Sequence, residues 1–319
     1  MTGETGALNQ GWVYQDWVDR AAAGLTLLAY YSQHYRHSTE QTWRDRILAG
    51  QILVEDGPAS PQQILRSGQR LTYHRSPWVE PTVPLDFAVL YEDADLLVVA
   101  KPAGLPVMPA GGFLEHTLLR QLQKRYPQSS PVPIHRLGRG TSGLVLLARS
   151  PQARSHLTQQ MRDRQIHKVY WALAVGNAPL DQFQIEQPIG KIPHPQLGHL
   201  YGVTPDGAFA RSDCQVLRRD HDQMLVEVTI LTGRPHQIRI HLAAAGFPLV
   251  GDPLYGAGGQ PRLTPIAPEA SRDPEAIALP GDCGYWLHAQ TLVFRHPRTQ
   301  APIEVSCPAP SQFGQPAHR

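Results

Sequence analysis

Two short blocks hold the side chains most able to do chemistry. Residues 135–143 read HRLGRGTSG, and residues 233–239 read GRPHQIR. A guanidinium group binds phosphate or carboxylate oxygens through two parallel hydrogen bonds. A buried arginine needs a carboxylate partner, whereas an exposed arginine is suited to contact a phosphate. The blocks therefore offer candidate ligands for anionic groups, with histidines and hydroxyl groups beside them.

The glycines of the first block, Gly138, Gly140 and Gly143, spell GxGxxG. A dinucleotide site needs this motif between a strand and a helix, so that the pyrophosphate meets a helix N-terminus. Here an apolar run at 144–148 follows, which is typical of a strand. No acidic residue ends a second strand about 20 residues on, where Gln165, Ile166 and His167 stand, although a ribose contact would require one. We interpret the block as a tight turn whose glycines permit close approach of a ligand.

Motifs of several other enzyme classes are missing from the sequence. It contains no GxSxG, Walker or HExxH motif, and its 15 histidines show no metal-ligand spacing with a carboxylate. The three cysteines, Cys214, Cys283 and Cys307, are far apart and form no zinc motif. We expect no metal, no disulfide and a reducing compartment.

Charge is informative only through its distribution. A formal charge of +2 does not predict a nucleic-acid partner. Within 136–168, however, Asp163 is the one acidic residue among seven basic ones: Arg136, Arg139, Arg149, Arg154, Arg162, Arg164 and Lys168. Such a patch suits phosphate contacts. The alternative is the solvated face of a helix.

The ends and the hydropathy pattern bear on location. Residues 1–12 are polar, include Glu4 and lack the basic start and apolar run of a signal peptide. The apolar runs are too short to span a membrane. We predict a cytoplasmic monomer with no membrane partner.

Residues 1–80 form one compositional unit. Residues 25–35 predict a helix, and Trp43, Ile47 and Leu48 predict a second one that ends at Gly50. A strand at 52–54, a turn at 55–57 and a strand at 71–73 follow. The order and the segments GQILVEDG and LRSGQRLTY resemble an S-four-like RNA-binding domain in degenerate form. The alternative is a small α+β packing unit.

A Pro-rich linker at 76–84 leads into a larger domain at 86–308. Its predicted strands are 95–100, 144–148, 169–175, 224–230 and 292–294, and its predicted helices are 117–125, 152–162 and 236–245. Strands outnumber helices and do not alternate strictly with them. This favours an α+β fold with a mixed or antiparallel sheet. Residues 309–319 are predicted to form a flexible tail.

Five segments in order resemble the signature blocks of the RluA-type RNA pseudouridine synthases. They are LYEDADLLVVAKPAGLPVMP (90–109), IHRLGRGTSGLVLLARS (134–150), KVYWALAVG (168–176), LTGRPHQIRIHLAAAGFPLVGDPLYG (231–256) and LHAQTLVFRHPRT (287–299). The resemblance implies the catalytic fold of that family over 86–308. It also implies isomerisation of a flipped uridine in ribosomal or transfer RNA, without a cofactor.

The resemblance assigns roles residue by residue. Arg136 matches the family arginine that fills the space of the flipped base and binds phosphate. Tyr170 matches the tyrosine that lies against the base. Arg239 matches the arginine that pairs with the catalytic carboxylate. It also implies substrate binding by His135, Arg139, Thr141, Ser142, Gly143, Arg234, His236 and Gln237. Taken singly, Tyr170 could instead be a core aromatic, and His236 and Arg239 could cap or solvate a helix.

One position departs from the family. The family block reads HRLD, and its aspartate is the catalytic nucleophile or base, whereas residue 138 here is glycine. Glycine can neither attack carbon nor remove a proton. Three hypotheses stay open: a replacement carboxylate (Asp252, Asp213, Asp163 or Asp95), an inactive RNA-binding protein on the same fold, or different chemistry on the bound base.

Overall fold

The computed structural model describes residues 8–194, 198–262 and 283–314. The chain divides at Pro81 and Thr82 into two compact units. None of the helices in these three ranges is long and apolar enough to cross a membrane. The catalytic-site candidates of the sequence all fall in the second unit.

The first unit is a small sheet with two helices. Its elements are β1 (Trp12–Trp17), α1 (Leu27–His34), α2 (Glu40–Leu48), β2 (Ile52–Val54), β3 (Gly57–Pro58) and β4 (Arg70–Arg75). The antiparallel sheet has the order β1-β4-β2-β3. The hydroxyl groups of Thr26 and Thr39 accept hydrogen bonds from backbone amides and so fix the starts of the two helices.

The predicted helices and turn of this unit are confirmed, but β1 was missed. Glu55 and Asp56 both have positive φ, which closes the two-residue hairpin between β2 and β3. Most of β1 is exposed, so its residues do not alternate between apolar and polar. Only its pairing with β4 identifies it as a strand.

The second unit contains the remaining elements. They are β5 (Ala88–Glu92), β6 (Leu96–Lys101), α3 (Leu118–Arg125), β7 (Val132–Pro133), β8 (Ser142–Ala148), α4 (Pro151–Arg162), β9 (His167–Val175), β10 (Gln182–Ile185), β11 (Ile189–His194), β12 (Gly198–Val203), β13 (Ser212–Asp220), β14 (Gln223–Ile230), α5 (Gln237–Ala244), β15 (Leu287–Arg295), β16 (Pro302–Ser306) and a 3₁₀ helix (Ser311–Phe313).

Ten of these strands form one sheet. Its order is β10-β13-β14-β9-β15-β8-β6-β5, with β16 on β15 and β7 on β8. Strand β15 runs parallel to β8, whereas the other registered pairs of the sheet are antiparallel. The expectation of an α+β fold with a mixed sheet is confirmed.

Strand β8 lies at the centre of the hydrophobic core. All seven of its residues are buried, and the four residues Leu144 to Leu147 are fully shielded from solvent. A strand covered on both faces reads as a continuous apolar run rather than an alternating one. The predicted strand at 144–148 reflects this burial, and the loop before it, residues 138–141, is thereby fixed to a rigid element.

The glycine at the start of β8 has a backbone role. Gly143 has φ +104°, and a Cβ atom there would lie 2.2 Å from the carbonyl oxygen of Ala289 on β15. Glycine therefore allows the two parallel strands to approach each other. The expectation that Gly143 permits the close approach of a ligand stays a prediction.

The end of the chain also differs from the prediction of a flexible tail at 309–319. Ser311–Phe313 form a 3₁₀ helix, and Phe313 is 1% exposed. The Phe313 ring packs against the rings of Trp286 and His288. Its neighbours in the sequence are polar, so the sequence did not predict that Phe313 is buried. Residues 315–319 of the predicted tail lie outside the described residues.

Candidate active site

Helix α5 carries Arg239 into the interior of the second unit. Seven of its eight residues are buried, and Arg239 is 2% exposed. His236 precedes the helix with a left-handed backbone (φ 55°). An unpaired guanidinium at this depth would be strongly unfavourable, so the position of Arg239 requires a carboxylate.

Asp252 is that carboxylate. Its Oδ2 accepts a hydrogen bond from Arg239 Nε at 2.7 Å, and its Oδ1 accepts one from Nη2 at 2.8 Å. Oδ1 also accepts the backbone amides of Leu254 and Tyr255. Although burial disfavours the guanidinium charge, the hydrogen bonds to Asp252 raise the pKa of Arg239 above its usual value.

These contacts define what Asp252 can do. Three donors meet Oδ1 and one meets Oδ2. The Asp252 side chain is 1% exposed. Asp252 therefore anchors Arg239 and the 252–255 turn from a buried position.

Tyr285 lies on the other side of Arg239. The guanidinium carbon is 4.0 Å from the centre of the Tyr285 ring and 5.0 Å from that of Tyr255. Tyr285 is 5% exposed, and its hydroxyl lies 3.2 Å from Oγ1 of Thr141. A cation held over two aromatic faces is favourably placed, and the rings fix its orientation.

The hydroxyl of Tyr285 stands beside the glycine that replaces the family aspartate. A Cβ atom built on Gly138 would lie 2.8 Å from Tyr285 Oη and 3.6 Å from Thr141 Oγ1. Gly138 is exposed and its backbone is outside the left-handed region. The backbone would accept a larger residue, whereas the Tyr285 hydroxyl occupies the space that such a residue needs.

Two glycines bring the loops of Asp252 and Tyr285 together. A Cβ on Gly251 would lie 2.2 Å from the carbonyl oxygen of Gly284, and one on Gly284 would lie 3.1 Å from that of Gly251. Both residues have positive φ. The close approach of these backbones places an acid and a phenol on two sides of one arginine.

The other proposed replacement carboxylates have partners elsewhere. Asp95 binds Arg298 through two hydrogen bonds, Asp213 binds Arg211, and Asp163 accepts from Gln159 at the end of α4. Among the hydrogen bonds of the described ranges, Asp252 alone of the four candidates joins the Arg239 cluster.

Arg136 is an exposed cation near the same cluster. It makes no hydrogen bond and no ion pair with any residue in the described part of the chain. Burial, the charge of Arg239 and a smaller contribution from Arg136 lower the pKa of His236 to about 4, although nearby Asp252 opposes this. Arg136 is therefore close enough to His236 to influence its charge, while its own donors remain available.

The hydrogen bonds of Tyr255 fix the orientation of His236. Tyr255 donates its hydroxyl proton to the carbonyl of Tyr201 at 2.8 Å. It therefore accepts from Nδ1 of His236, 2.9 Å away. His236 is then neutral, with the proton on Nδ1 and a lone pair on Nε2.

Tyr170 lies in the hydrophobic core on β9. It is 7% exposed, stands opposite Val228 and Ala289 in the sheet, and burial raises the pKa of its phenol. This environment fits the core-aromatic interpretation as well as the family role. The structure does not bring it into the hydrogen-bonded cluster of Arg239.

Two residues expected to bind substrate have their polar atoms occupied by the protein. The Gln237 amide accepts from Thr232 and the Arg234 backbone and donates to the Arg211 carbonyl and Ser212. The hydroxyl of Ser142 lies 2.8 Å from Nδ1 of His288. Both side chains are buried and hold the loops of the site in place, and the expectation that they bind substrate stays a prediction.

His135, Arg139 and Arg234 are also tied to the protein. Nε2 of His135 accepts the amide proton of Leu146, and burial lowers the pKa of this histidine to about 4. The Arg139 guanidinium lies 5.1 Å from the centre of the Phe113 ring. Nε of Arg234 donates to the carbonyl of Phe209. These contacts leave each side chain only part of its binding capacity.

The predicted basic patch divides into two groups. Lys168 is buried, and Arg149 is paired with Glu92. Three members are exposed on or just after α4: Arg154, Arg162 and Arg164. The sequence concentrates the charges, but burial and pairing remove part of the patch.

The sequence analysis missed Tyr285, Gly251 and Gly284. They stand outside the glycine and arginine blocks, and no spacing links Tyr285 to Gly138. The one signal in the sequence that could have led to Tyr285 is the missing aspartate, because another side chain must then fill the space at residue 138.

Comparison with known proteins gives consistent matches. A family model described as RNA pseudouridylate synthase matches residues 95–244. An uncharacterized RNA pseudouridine synthase of Synechocystis sp. is 47% identical over 91% of this chain and 96% of its own length. The ribosomal large subunit pseudouridine synthase D of Xanthomonas campestris pv. campestris is 34% identical over 93% and 89%. Asp252 and Tyr285 lie beyond the residues matched by the family model.

A solved structure matches as well. The human RNA pseudouridylate synthase domain containing 1 covers 74% of this chain and 89% of its own, with a TM-score of 0.53 and 25% identity. The fold of this chain is therefore that of a pseudouridylate synthase domain.

Proposed function

Because the chain belongs to the family of RNA pseudouridine synthases and isomerises uridine to pseudouridine in RNA, we propose that its target uridine lies in ribosomal or transfer RNA. The observation that carries the activity is the 47% identity over nearly the whole length of a relative named as such a synthase. Ribosomal RNA is the first substrate to test, since the relative in Xanthomonas is named for the large ribosomal subunit.

The reaction sets requirements that the site is suited to meet. The C1′–N1 bond breaks, the uracil ring turns, and a C1′–C5 bond forms, with no net oxidation or reduction. The base must first leave the stack, so the protein must hold the backbone and fill the gap. In our proposal Arg136 binds a phosphate next to the flipped nucleotide, because its guanidinium is exposed and makes no hydrogen bond within the described ranges.

Other side chains take their places around the base. Nε2 of His236 has a lone pair and can accept a hydrogen bond from the bound nucleotide. Tyr170 lies against the base, as in the family, and Arg239 orients the residues that contact the ribose. These assignments need no cofactor, because an isomerisation is complete within the substrate.

We propose that the first unit adds RNA affinity. Its edge strand β1 exposes three aromatic side chains: Trp12 at 43%, Tyr14 at 44% and Trp17 at 62%. Exposed aromatic rings on a sheet are suited to stack on unpaired bases. This supports the S-four-like interpretation over a unit that serves packing alone.

We further propose that the protein acts as a monomer in the cytoplasm. Cys214 and Cys307 are buried free thiols, which fits a reducing compartment. Light scattering of the purified protein tests the oligomeric state.

The function is tested by mapping pseudouridine site by site in RNA from cells with and without the gene. Purified protein is then added to RNA from the deletion strain. A site that disappears and returns supports the proposal. If no site changes while the protein still binds RNA, the alternative favoured by Gly138 holds, an RNA-binding protein on a synthase fold.

A further inference from the structure

The hydroxyl group of Tyr285 is the oxygen nearest to the position from which the family carboxylate is missing. We propose that Tyr285 is the catalytic base of this enzyme and acts on the ribose of the target uridine in place of a carboxylate at residue 138. This inference rests on the proposed function, since it concerns the same site and reaction.

The first support is the space that the oxygen occupies. From ordinary bond lengths, the carboxylate oxygens of an aspartate lie roughly 2.4 Å from its Cβ. Tyr285 Oη lies 2.8 Å from a Cβ built on Gly138, so its distance from this Cβ is close to that of an aspartate oxygen. Gly138 itself is exposed, so a substrate can reach the backbone beside this oxygen.

The second support is that the oxygen is held in place. Thr141 lies 3.2 Å from the Tyr285 hydroxyl, on the loop that also carries Gly138. The Tyr285 ring faces Arg239, and the adjacent Gly251 and Gly284 backbones fix the loop behind it. A catalytic group must be positioned by its surroundings, and these contacts do so.

The third support is the absence of a competing carboxylate beside Gly138. Asp252 is buried and holds Arg239 and two backbone amides. Asp95, Asp213 and Asp163 are bound to other partners. None of the four carboxylates considered lies within 4 Å of a Cβ built on Gly138.

Charged and titratable groups surround Tyr285 on the elements packed against it. The Arg239 guanidinium, on α5, lies 4.0 Å from the ring centre, where it attracts negative charge that develops on the hydroxyl. Asp252 lies behind Arg239 and weakens this attraction, and Tyr255 is a second phenol near the same cation. Thr141, on the remaining loop, contributes a neutral hydroxyl.

The proposed step balances without a co-reactant. The Tyr285 phenolate removes the proton from C2′, the C–H electron pair forms the C1′=C2′ bond, and the C1′–N1 pair leaves with the uracil ring as its anion. After the ring turns, the Tyr285 hydroxyl returns the proton to C2′ as C5 bonds to C1′. This return of the proton restores the phenolate. The proton on C5 then moves to N1, which gives pseudouridine.

The first test is Tyr285→Phe, which removes one oxygen and keeps the ring over Arg239. We expect the turnover number to fall about 10²- to 10⁴-fold, the usual contribution of a general base. RNA affinity should be unchanged. The matched control is Tyr91→Phe, which removes a hydroxyl that donates to Asp93 at the edge of the sheet and should leave turnover unchanged.

The second test separates a base from a structural hydroxyl. Fluorotyrosine at position 285 has a more acidic phenol of nearly the same shape. The rising limb of the pH–rate profile should move to lower pH, whereas a structural hydroxyl would leave the profile in place. Wild-type turnover of Tyr285→Phe, or an unmoved profile, overturns the role of Tyr285 alone. A wild-type enzyme with no turnover on any cellular RNA contradicts the proposed function as well.

Discussion

The hydroxyl oxygen of Tyr285 lies 2.8 Å from the point where a Cβ on Gly138 would stand. This distance is shorter than a van der Waals contact, so a side chain at residue 138 would require the Tyr285 hydroxyl to shift.

The first prediction concerns stability. Gly138→Ala should destabilise the fold by about 1–3 kcal/mol, since the added methyl group overpacks against the Tyr285 hydroxyl. Denaturant unfolding measures this loss. Gly233→Ala is the control, because its Cβ would meet Lys168 at an ordinary 3.7 Å. Adding Tyr285→Phe should recover part of the loss, and purely additive effects would argue against the contact.

A second prediction replaces the phenol oxygen of Tyr285 with a carboxylate at residue 138. Gly138→Asp in the wild-type background should disturb Tyr285 and lower turnover. In the Tyr285→Phe background the same change should restore turnover, since a carboxylate then fills the space left by the phenol oxygen. Pseudouridine formation on a common RNA measures both. A double variant no more active than Tyr285→Phe would show that the two oxygens are not interchangeable.

The third prediction concerns the buried ion pair. Asp252→Ala should lower the free energy of unfolding by about 3–5 kcal/mol, because it leaves the Arg239 charge buried without a partner. Asp213→Ala removes an exposed pair with Arg211 and should cost less than about 1 kcal/mol. Equal losses in the two variants would contradict the assignment of Asp252 as an anchor.

The fourth prediction is a pH dependence of stability. The pKa of His135 and of His236 is lowered to about 4 by burial, below the value in the unfolded chain. Between this value and an unfolded pKa of about 6.5, the unfolded chain binds more protons, so stability falls as the pH falls. Unfolding curves at several pH values should show this slope, and His135→Gln should reduce it. An unchanged slope would mean that His135 is not involved.

The fifth prediction concerns phosphate binding. Arg136→Ala should weaken RNA binding and reduce the slope of affinity against salt by about one, the signature of one lost phosphate contact. The stability of this variant should stay within about 0.5 kcal/mol, as expected for a surface side chain with no hydrogen bond or ion pair in the described ranges. Arg219→Ala, an exposed arginine already paired with Asp181, is the control and should leave the salt slope unchanged.

Local patterns in the sequence predicted most of the regular structure. The strands β6 and β8 and the helix α4 can be recognised in the sequence, because burial of one or both faces of an element requires apolar residues at regular positions. Short strands such as β10 and β16 were missed, because pairing with neighbours rather than composition makes them strands.

The sequence by itself determined the family and the α+β fold, because these depend on ordered blocks and residue chemistry. Tertiary structure alone decided that Arg239 is buried and that Asp252 is its carboxylate partner. It also decided that Tyr285, from a loop far along the chain, lies at Gly138. The reason is physical: the close approach of the Gly251 and Gly284 backbones and the packing of two rings on Arg239 are non-local contacts, which no spacing in the chain encodes.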